Sequence, residues 1–456
     1  MIPAAHSAER RRWQALGVIM LGSMMGTLDA SIANVALPTI ARVYHRPLDE
    51  SEWVVLAFML VTASTLVLFG RLGDIFGQKR IYLGGFAVFG FSSLVCALAP
   101  SLPVLIGARA VQAIGAAMIV SSSQALIVDM FPAAERGRAI GFNGAAVAAG
   151  LSLGPIIGGA IVTYGDWRWI FMINVPISVL GFVAAAIVLN PFRHENRGFD
   201  PFGAFLSMIG LFSFALALSR AHVWGWQSPR TIGLLAVAVV ALALFVVVER
   251  RVAAPTLDLA LFRSRMFAFS VIAAFVYFIA LAGLIFIVPL AAQTALGYSA
   301  FGAGFLLMPI TALNIVLAPF AGALSDRIPV RYVSTSGAIL VAIGFFALSR
   351  VPAIPQVWQL VGALVLTGCG TAVFSQPNNS AIMGSAPPNR RGIAAGTLAT
   401  ARTSGQLVGV AVAGAVYFAL DANLGSNGTS FAPATTYFGA MILVMLVTAA
   451  LSWTRE

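Results

Sequence analysis

The sequence predicts an all-α protein that crosses a membrane fourteen times, from its composition, the spacing of its apolar stretches and an internal repeat. Of the 456 residues, 59% are apolar and only 9% are charged, whereas a typical soluble domain carries about 25% charged residues. The mean hydropathy of +0.93 indicates a chain whose solvent is lipid. This composition excludes a soluble globular enzyme, a disordered scaffold and a disulfide-rich secreted module.

Fourteen mostly apolar stretches are long enough to cross a bilayer as helices, which takes about 20 residues each. They leave only short loops and tails, so no separate soluble domain fits between them. Their approximate limits are 14–37, 52–70, 81–99, 103–129, 138–163, 169–190, 202–219, 231–249, 267–290, 299–322, 332–349, 356–381, 392–419 and 435–453.

Basic residues fall mainly on one side of the predicted helices. With a cytoplasmic amino terminus, 19 of the 27 Lys and Arg lie on the cytoplasmic side, 6 lie opposite, and Arg109 and Arg402 lie within spans. Cytoplasmic loops are enriched in Lys and Arg. The count therefore predicts a multi-pass protein with both termini in the cytoplasm, and the small extramembrane mass favours the inner (cytoplasmic) membrane of a bacterial cell. Basic residues in short, scattered groups argue against a nucleic-acid partner.

An internal repeat relates the two ends of the chain. The segment after span 4 reads FPAAERGRAIG (131–141), and the segment after span 12 reads APPNRRGIAAG (386–396), at an offset of 255. GRLGDIFGQKR, beginning at Gly70, matches GALSDRIPVRY, beginning at Gly322, at an offset of 252. Parallel repeats around a central cavity are typical of secondary transporters. The shift of eight helices predicts a 6+2+6 arrangement: a six-helix bundle at 1–190, two inserted helices with linkers at 191–264, and a second six-helix bundle at 265–456.

The sequence also indicates how such a protein would be energised. Its one lysine, Lys79, is followed by Arg80, so the Gly-Lys-Ser or Gly-Lys-Thr of a Walker A loop is absent. No cofactor is expected, and transport would use an ion gradient or a separate energising subunit. The four histidines lie in tails or loops and the two cysteines lie far apart, so neither a metal site nor the catalytic set of an enzyme is predicted.

Five short strings occur in order along the chain. The loop after span 2 follows the pattern G-x-L-a-D-r-x-G-r-[KR]-[KR] and departs from it at Gly73, Ile75 and Gln78. The other four strings are LDASIANVALP (28–38), RAVQAIGAAM (109–118), GLSLGPIIGG (150–159) and WRWIFMINVP (167–176). With these strings the chain resembles the major facilitator superfamily, and more narrowly its fourteen-helix drug:proton antiporters.

The resemblance implies roles for two of the strings. The loop after span 2 would be a cytoplasmic latch between the two halves, and its tight backbone is expected to require glycine; the alternative is a loop that only fixes topology. The span 5 string would be a bendable seal that favours exchange over leak, or only a packing face, because glycines spaced by four form one helix face and proline permits a bend. The latch residues are Gly70, Asp74, Gly77, Lys79 and Arg80, and the seal residues are Gly150, Gly154, Pro155, Gly158 and Gly159.

Asp29 is the leading candidate for proton coupling, because it is the only acid clearly within the hydrophobic depth of a span. A carboxylate there must pair, take up a proton or face water. Burial raises the pKa of a carboxyl group and a nearby cation lowers it, so a site that alternates between these two environments can bind and release a proton. The alternative is a permanent structural pair with Arg109 or another donor. Arg109 keeps its charge; the resemblance implies a role in proton coupling, and the alternative is a helix-packing pair.

Polar and aromatic side chains within the spans are candidates for lining a substrate cavity. The polar groups could instead hydrogen-bond between helices, and the aromatic rings could face lipid or core rather than a flat cation. Asp129 and Glu249 lie at span ends, where solvated or capping roles are expected. The cavity candidates are Asn34, Gln112, Gln124, Asn143, Asn314, Gln376, Asn379, Arg402, Gln406, Tyr277 and Phe278.

These observations predict a secondary active transporter, acting as a monomer, that exports amphipathic, cationic drugs in exchange for protons, with the proton gradient as its energy source. Proton-coupled uptake or export of a metabolite by the same fold is the main alternative, and the span 5 string argues against uptake. A membrane-embedded enzyme lacks an evident catalytic set. A receptor or scaffold would have no obvious use for a lone buried carboxylate.

Overall fold

The computed structural model describes residues 3–46, 48–189, 200–252, 259–298, 300–424 and 430–454, and this part of the chain contains helices and no strand. Single turns of 3-10 helix occur at Leu259–Arg263 and Pro388–Arg390. The α-helices are α1 (Pro3–Val43), α2 (Leu48–Ser51), α3 (Trp53–Phe76), α4 (Gln78–Ala97), α5 (Leu102–Met130), α6 (Ala133–Tyr164), α7 (Trp169–Met172), α8 (Asn174–Val188), α9 (Pro201–Trp224), α10 (Pro229–Glu249), α11 (Arg265–Leu296), α12 (Ala300–Phe305), α13 (Met308–Ser325), α14 (Val330–Ser349), α15 (Val357–Ser385), α16 (Arg391–Leu424) and α17 (Ala432–Thr454).

Twelve segments of the described chain are long and apolar enough to cross a membrane. Two of the fourteen spans that the sequence predicts are not among them, namely the stretches 138–163 and 392–419. Both stretches are nevertheless helical, since they lie in α6 and α16, which have 32 and 34 residues.

Packing between helices follows the repeat in the sequence. In the N-terminal half (residues 1–190), α1 packs on α6, and α5 packs on α3 and α4; in the C-terminal half (residues 265–456), α14 packs on α15 and α17, and α11 packs on α16. The halves meet where α13 packs on α6 and where α16 packs on α3. One apolar core continues across this seam, because Ile127 and Phe131 share a cluster with Phe267, Ile382 and Ile393.

The two halves approach each other closely where α6 crosses α13. A Cβ atom on Gly322 would lie 2.0 Å from the carbonyl oxygen of Gly137, and a Cβ on Gly137 would lie 2.2 Å from the carbonyl oxygen of Gly322. Neither position can hold a side chain unless the two backbones move apart. We call this end of the bundle, where α3 and α13 end and α6 and α16 begin, the latch end.

The repeat gives a matching contact on the other side of the seam. A Cβ on Gly141 of α6 would lie 2.5 Å from the carbonyl oxygen of Ala318 in α13, and a Cβ on Gly396 of α16 would lie 2.8 Å from the carbonyl oxygen of Leu66 in α3. These pairs are related by the sequence offsets of 255 and 252. The repeat is therefore also a repeat of contacts between the halves.

The predicted inserted segment contains α9 and α10, which pack on each other. The side chain of Asp200 caps α9 by accepting hydrogen bonds from the backbone N–H groups of Phe202 and Gly203, an end group of the kind that stabilises helix starts. Arg220 attaches α9 to the N-terminal half, because its Nη1 lies 3.4 Å from Glu52 Oε2 and its guanidinium carbon lies 4.9 Å from the ring centroid of Trp53.

The backbone of the predicted latch loop is more regular than the sequence led us to expect. Helix α3 continues to Phe76, so Gly70 and Gly73 are helical and do not form a tight turn. Gly77 alone in this segment has a positive φ, of 105°, and it separates α3 from α4. Only Gly77 therefore meets the expected need for glycine's backbone freedom.

Gly322→Ala should lower the melting temperature of the purified protein in detergent, because its Cβ would push α13 away from α6. Overpacking of this kind costs about 1–3 kcal/mol. Gly17→Ala in α1 is the matched control, since a Cβ there meets nothing within 4 Å and alanine is the better helix former. Equal melting temperatures for the two variants would show that the α6–α13 contact is not tight.

Candidate functional site

Asp29 and Arg109 form an ion pair inside the N-terminal half. Arg109 Nη1 of α5 lies 2.5 Å from Asp29 Oδ2 of α1, and both side chains have no exposed surface. Arg109 Nε also donates to the backbone carbonyl of Val54 in α3, at 3.0 Å. A charge in an apolar interior is costly unless it is paired and hydrogen-bonded, and here each charge compensates the other.

Two carboxamides complete the shell around the carboxylate. Asp29 Oδ1 accepts hydrogen bonds from Asn174 Nδ2 at 2.7 Å and from Gln112 Nε2 at 3.1 Å. Gln112 is itself fixed, because its Oε1 accepts from Arg109 Nη1 at 2.6 Å and its Nε2 lies 2.7 Å from Ser93 Oγ. Donors from α5 and α8 thus surround the carboxyl group of an acid on α1.

Aromatic rings close the site around the guanidinium. The guanidinium carbon of Arg109 lies 4.2 Å from the ring centroid of Phe58 and 5.5 Å from that of Phe171. Cation–π attraction supports this arrangement, and the rings keep bulk water away. The sequence offered pairing of Asp29 with Arg109 as one alternative, and the structure shows this pair.

Sequence reasoning missed Asn174 as a site residue. It lies in the string WRWIFMINVP, at the start of α8, and it is fully buried. An asparagine within a membrane span was the available signal, since polar side chains there pair across helices. Its partner Asp29 lies 145 residues away in the chain, so the contact itself could not be read from spacing.

Two carboxylates join the halves at the latch end. Asp74 Oδ2 of α3 accepts a hydrogen bond from the backbone N–H of Ile393, at 3.0 Å. Asp326, which follows α13, accepts from the backbone N–H groups of Gly137 at 2.9 Å and Arg138 at 3.2 Å. Each acid therefore meets the positive N-terminal end of a helix in the opposite half, and the two contacts are related by the repeat.

Burial raises the pKa of Asp326 above its ordinary value, and the backbone donors of Gly137 and Arg138 lower it in part. The desolvated carboxylate is thus stabilised mainly by the end of α6. Closure of the halves and ionisation of this acid are linked through those two hydrogen bonds.

A third contact across the seam corrects the expectation for Asp129. The sequence suggested a solvated or capping role at the end of span 4, but Asp129 Oδ1 forms a close ion pair with Arg391 Nη1 of α16. The same Arg391 nitrogen lies 3.3 Å from the carbonyl oxygen of Val128. Asp129 therefore joins the halves, and its partner lies 262 residues away.

Among the other predicted latch residues, Lys79 contacts the N-terminal half, to which it belongs. Lys79 Nζ donates to the carbonyl oxygens of Ala186 at 2.8 Å and Leu189 at 2.6 Å, at the end of α8, where a cation is favoured by the helix dipole. Arg80 is exposed and Gly70 is buried within α3. Of the predicted latch residues, Asp74 is the one with a described hydrogen bond to the opposite half.

The glycine face of α6 packs on α1, close to Asp29. A Cβ on Gly150 would lie 2.2 Å from Thr27 Oγ1, one on Gly154 would lie 1.8 Å from Ser31 Oγ, and one on Gly158 would meet Ile32. A Cβ on Gly159 meets nothing within 4 Å, and the side chain of Pro155 lies outside the described residues. Three of the predicted seal residues thus bring α6 against the helix that carries the buried acid.

The structure places the cavity candidates on several helices of both halves. Gln112 belongs to the Asp29 site. Tyr277 is buried with its ring 4.5 Å from that of Phe374, so it packs within the C-terminal half rather than facing a cavity. Phe278 is partly exposed and makes an edge contact with Tyr277 at 5.1 Å.

The remaining candidates are amides and one arginine. Gln376 of α15 reaches α6, because a Cβ on Gly144 would meet its amide nitrogen at 2.1 Å. Asn314 Nδ2 lies 3.5 Å from Thr371 Oγ1. Asn143 is buried, whereas Gln124, Asn379, Arg402 and Gln406 are partly exposed; the side chain of Asn34 lies outside the described residues.

Arg109→Gln should lower the thermal stability of the purified protein, because it leaves the buried Asp29 carboxylate without its cation. Breaking a buried pair in this way costs about 3–5 kcal/mol. The double variant Asp29→Asn/Arg109→Gln should recover most of the loss, since it buries no uncompensated charge.

Arg46→Gln is the control for this measurement. Its pair with Glu50 is exposed, at 3.6 Å, and such pairs contribute about 0–1 kcal/mol. Equal melting temperatures for Arg109→Gln and the double variant would mean that charge compensation is not what stabilises the site.

The sequence is similar to transporters along most of its length. It is 35% identical to the uncharacterized transporter YebQ of Escherichia coli K12 over 92% of this chain and 91% of that protein. It is 32% identical to the riboflavin transporter RibZ of Clostridioides difficile over 88% and 87%. It is 34% identical to the multidrug resistance protein Stp of Mycobacterium tuberculosis over 87% of this chain and 74% of that protein.

The fold and a family model lead to the same assignment. The structure resembles the crystal structure of the human organic anion transporter MFSD10 (TETRAN), with a TM-score of 0.68 over 96% of this chain and 99% of that one; at 17% identity the likeness concerns the fold alone. The family model described as Major Facilitator Superfamily matches residues 19–410 and 270–455. The chain therefore belongs to the major facilitator superfamily of membrane transporters.

Proposed function

We propose that this transporter exports amphipathic compounds, drugs among them, in exchange for protons. The observation that carries the proposal is the enclosed Asp29–Arg109 pair, in which a carboxyl group contacts a cation and two carboxamides. A proton that reaches Asp29 removes the charge on which all three contacts depend. Uptake and release of that proton would then loosen and restore the contact of α1 with α5 and α8.

The latch end supplies the second part of the proposed cycle. Asp74, Asp326 and Asp129 join the halves at one end of the bundle, and the basic residues predict that this end is cytoplasmic. The described conformation would then be closed to the cytoplasm. We further propose that α6 and α16 cross the membrane, which gives fourteen spans in the 6+2+6 arrangement, with both termini in the cytoplasm of a monomeric protein in the cell membrane.

Relatives support drug export and leave one alternative. Stp is named a multidrug resistance protein, and a further relative, 31% identical, is the tetracenomycin C resistance and export protein of Streptomyces glaucescens. RibZ is named a riboflavin transporter, so proton-coupled movement of a metabolite is the second candidate. In the described conformation Arg109 neutralises Asp29, so this acid offers no free charge to the cationic substrate that the sequence predicts.

Asp29→Asn should abolish movement of substrate driven by a proton gradient, because an amide occupies the same space and cannot take up the proton. The measurement uses the purified protein in liposomes, with an imposed proton gradient and a panel of amphipathic dyes of different charge. Asp166→Asn is the matched control, since Asp166 is exposed and pairs with nearby Arg168 at the surface.

Two results would separate the parts of this proposal. Gradient-driven transport that survives in Asp29→Asn would keep the exporter and assign coupling to another group. Wild-type liposomes that move no dye in either direction, while moving riboflavin, would favour the metabolite alternative.

Asp326→Asn and Asp74→Asn should each slow the transport cycle with little change in substrate affinity, because each removes the charge that meets a helix N-terminus. A charge at a helix end contributes about 0.3–1 kcal/mol. Initial transport rates and equilibrium binding of the same dye measure the two effects, again with Asp166→Asn as control. Weakened binding with normal rates would contradict the latch.

A further inference from the structure

Arg402 is a cation at membrane depth whose charge nothing in the described chain compensates. We propose that Arg402 is a substrate-binding residue that pairs with an anionic group, a carboxylate or an ionised phenol or enol, on the transported amphipathic compound. This inference rests on the proposed function, because it names the substrate class of the same transporter.

The position of Arg402 on α16 directs it toward the seam between the halves. Ala399, three residues earlier, packs against Leu66 of α3 and Ala117 of α5, and Leu398, four residues earlier, belongs to the core that crosses the seam. Residues three and four apart share a helix face. Arg402 therefore lies on the same face of α16, one turn beyond these contacts.

The depth of Arg402 prevents its charge from reaching water at a membrane surface. Helix α16 begins at Arg391, at the latch end, and a rise of 1.5 Å per residue places Arg402 about 17 Å further along the helix. The hydrocarbon core of a bilayer is about 30 Å thick. Long side chains reach the interface from helix ends, but Arg402 lies near the middle.

Other arginines show what compensation looks like in this protein. Arg109 pairs with Asp29, Arg391 with Asp129, and Arg220 with Glu52. Within the described residues, Arg402 has no ion pair, hydrogen bond or aromatic ring contact of this kind, and its side chain is partly exposed. A charge in such a place marks a substrate pathway or pairs with a ligand.

The sign of the charge selects the class of ligand. Asp29 is enclosed and neutralised by Arg109, so the uncompensated charge at this depth in the described chain is the positive charge of Arg402. A cationic compound would be repelled there, and an anionic one would supply the missing partner. Arginine is also suited to the task, because its planar fork donates two parallel hydrogen bonds to a carboxylate.

Two neighbours give the site a polar and an apolar side. Gln406, one turn further along α16, shares the face of Arg402 and is partly exposed, so its amide can donate to the same anion. Phe278 of α11 packs on α16 next to this face, because a Cβ on Gly405 would lie 3.1 Å from the Cβ of Phe278. An amphipathic acid with a flat ring fits this combination.

The test compares two probes that share an aromatic body, 1-pyrenebutyrate and a pyrenebutyl-trimethylammonium ion. Binding to the purified full-length protein is measured by pyrene fluorescence. The wild-type protein should bind the anion. Arg402→Gln should weaken that binding at least about tenfold, as expected for the loss of a charge-assisted hydrogen bond. Arg402→Lys should retain part of the binding. Arg402→Glu should reverse the preference and bind the cation.

Arg350→Gln is the control variant, because Arg350 is exposed and follows the C-terminal end of α14. It should leave the affinities for both probes unchanged. Melting temperatures should show that every variant is folded. Equal weakening of both probes by Arg402→Gln, or a wild-type protein that does not bind 1-pyrenebutyrate, would overturn the inference.

Transport in liposomes separates this inference from the proposed function. If binding of the anion depends on Arg402 but a proton gradient moves neither probe, the antiport proposal fails and the anion site stands. If the gradient drives the probes equally in wild type and Arg402→Gln, proton-coupled transport stands and the anion site fails.

Discussion

The structure depends on one constraint: charges buried within the membrane-spanning helices must be compensated. A charge that is not paired at this depth costs several kcal/mol, so the few that are present each need an explanation. Asp29 and Arg109 compensate each other, and Gln112 and Asn174 satisfy the oxygen of Asp29 that faces away from the guanidinium. Helices α1, α5 and α8 are thereby held in one arrangement that a single proton can disturb.

At the latch end, Asp74 and Asp326 meet the same constraint with helix ends, whereas Asp129 meets it with the cation of Arg391. Asp74 accepts a hydrogen bond from the first turn of α16, and Asp326 accepts hydrogen bonds from the fifth and sixth residues of α6, near helix starts where the dipole favours negative charge. These contacts use backbone groups, so they exist only while the halves are together. An interface of this kind can open without leaving a buried charge behind, because the separated acids and helix ends become hydrated.

Much of this architecture could be predicted from the sequence, since apolar stretches, the asymmetry of arginines and the repeat are one-dimensional features. The pairing of Asp29 with Arg109 was within reach, because few charges lie at that depth. The Asp129–Arg391 pair and the Asn174 contact were missed, since their partners are 262 and 145 residues away. The helical course of Gly70 and Gly73 was also missed: glycine permits a turn and does not impose one.

The charge of the substrate decides how the membrane potential acts on the proposed exchange. If a monovalent cation leaves as one proton enters, no net charge moves, and the potential contributes nothing. If a compound leaves as a monovalent anion while one proton enters, both movements carry positive charge inward. Two elementary charges are worth about 4.6 kcal/mol per 100 mV. An uncompensated arginine at the depth of Arg402 would thus select anionic substrates. These are the substrates whose export is driven most strongly by a membrane potential that is negative inside.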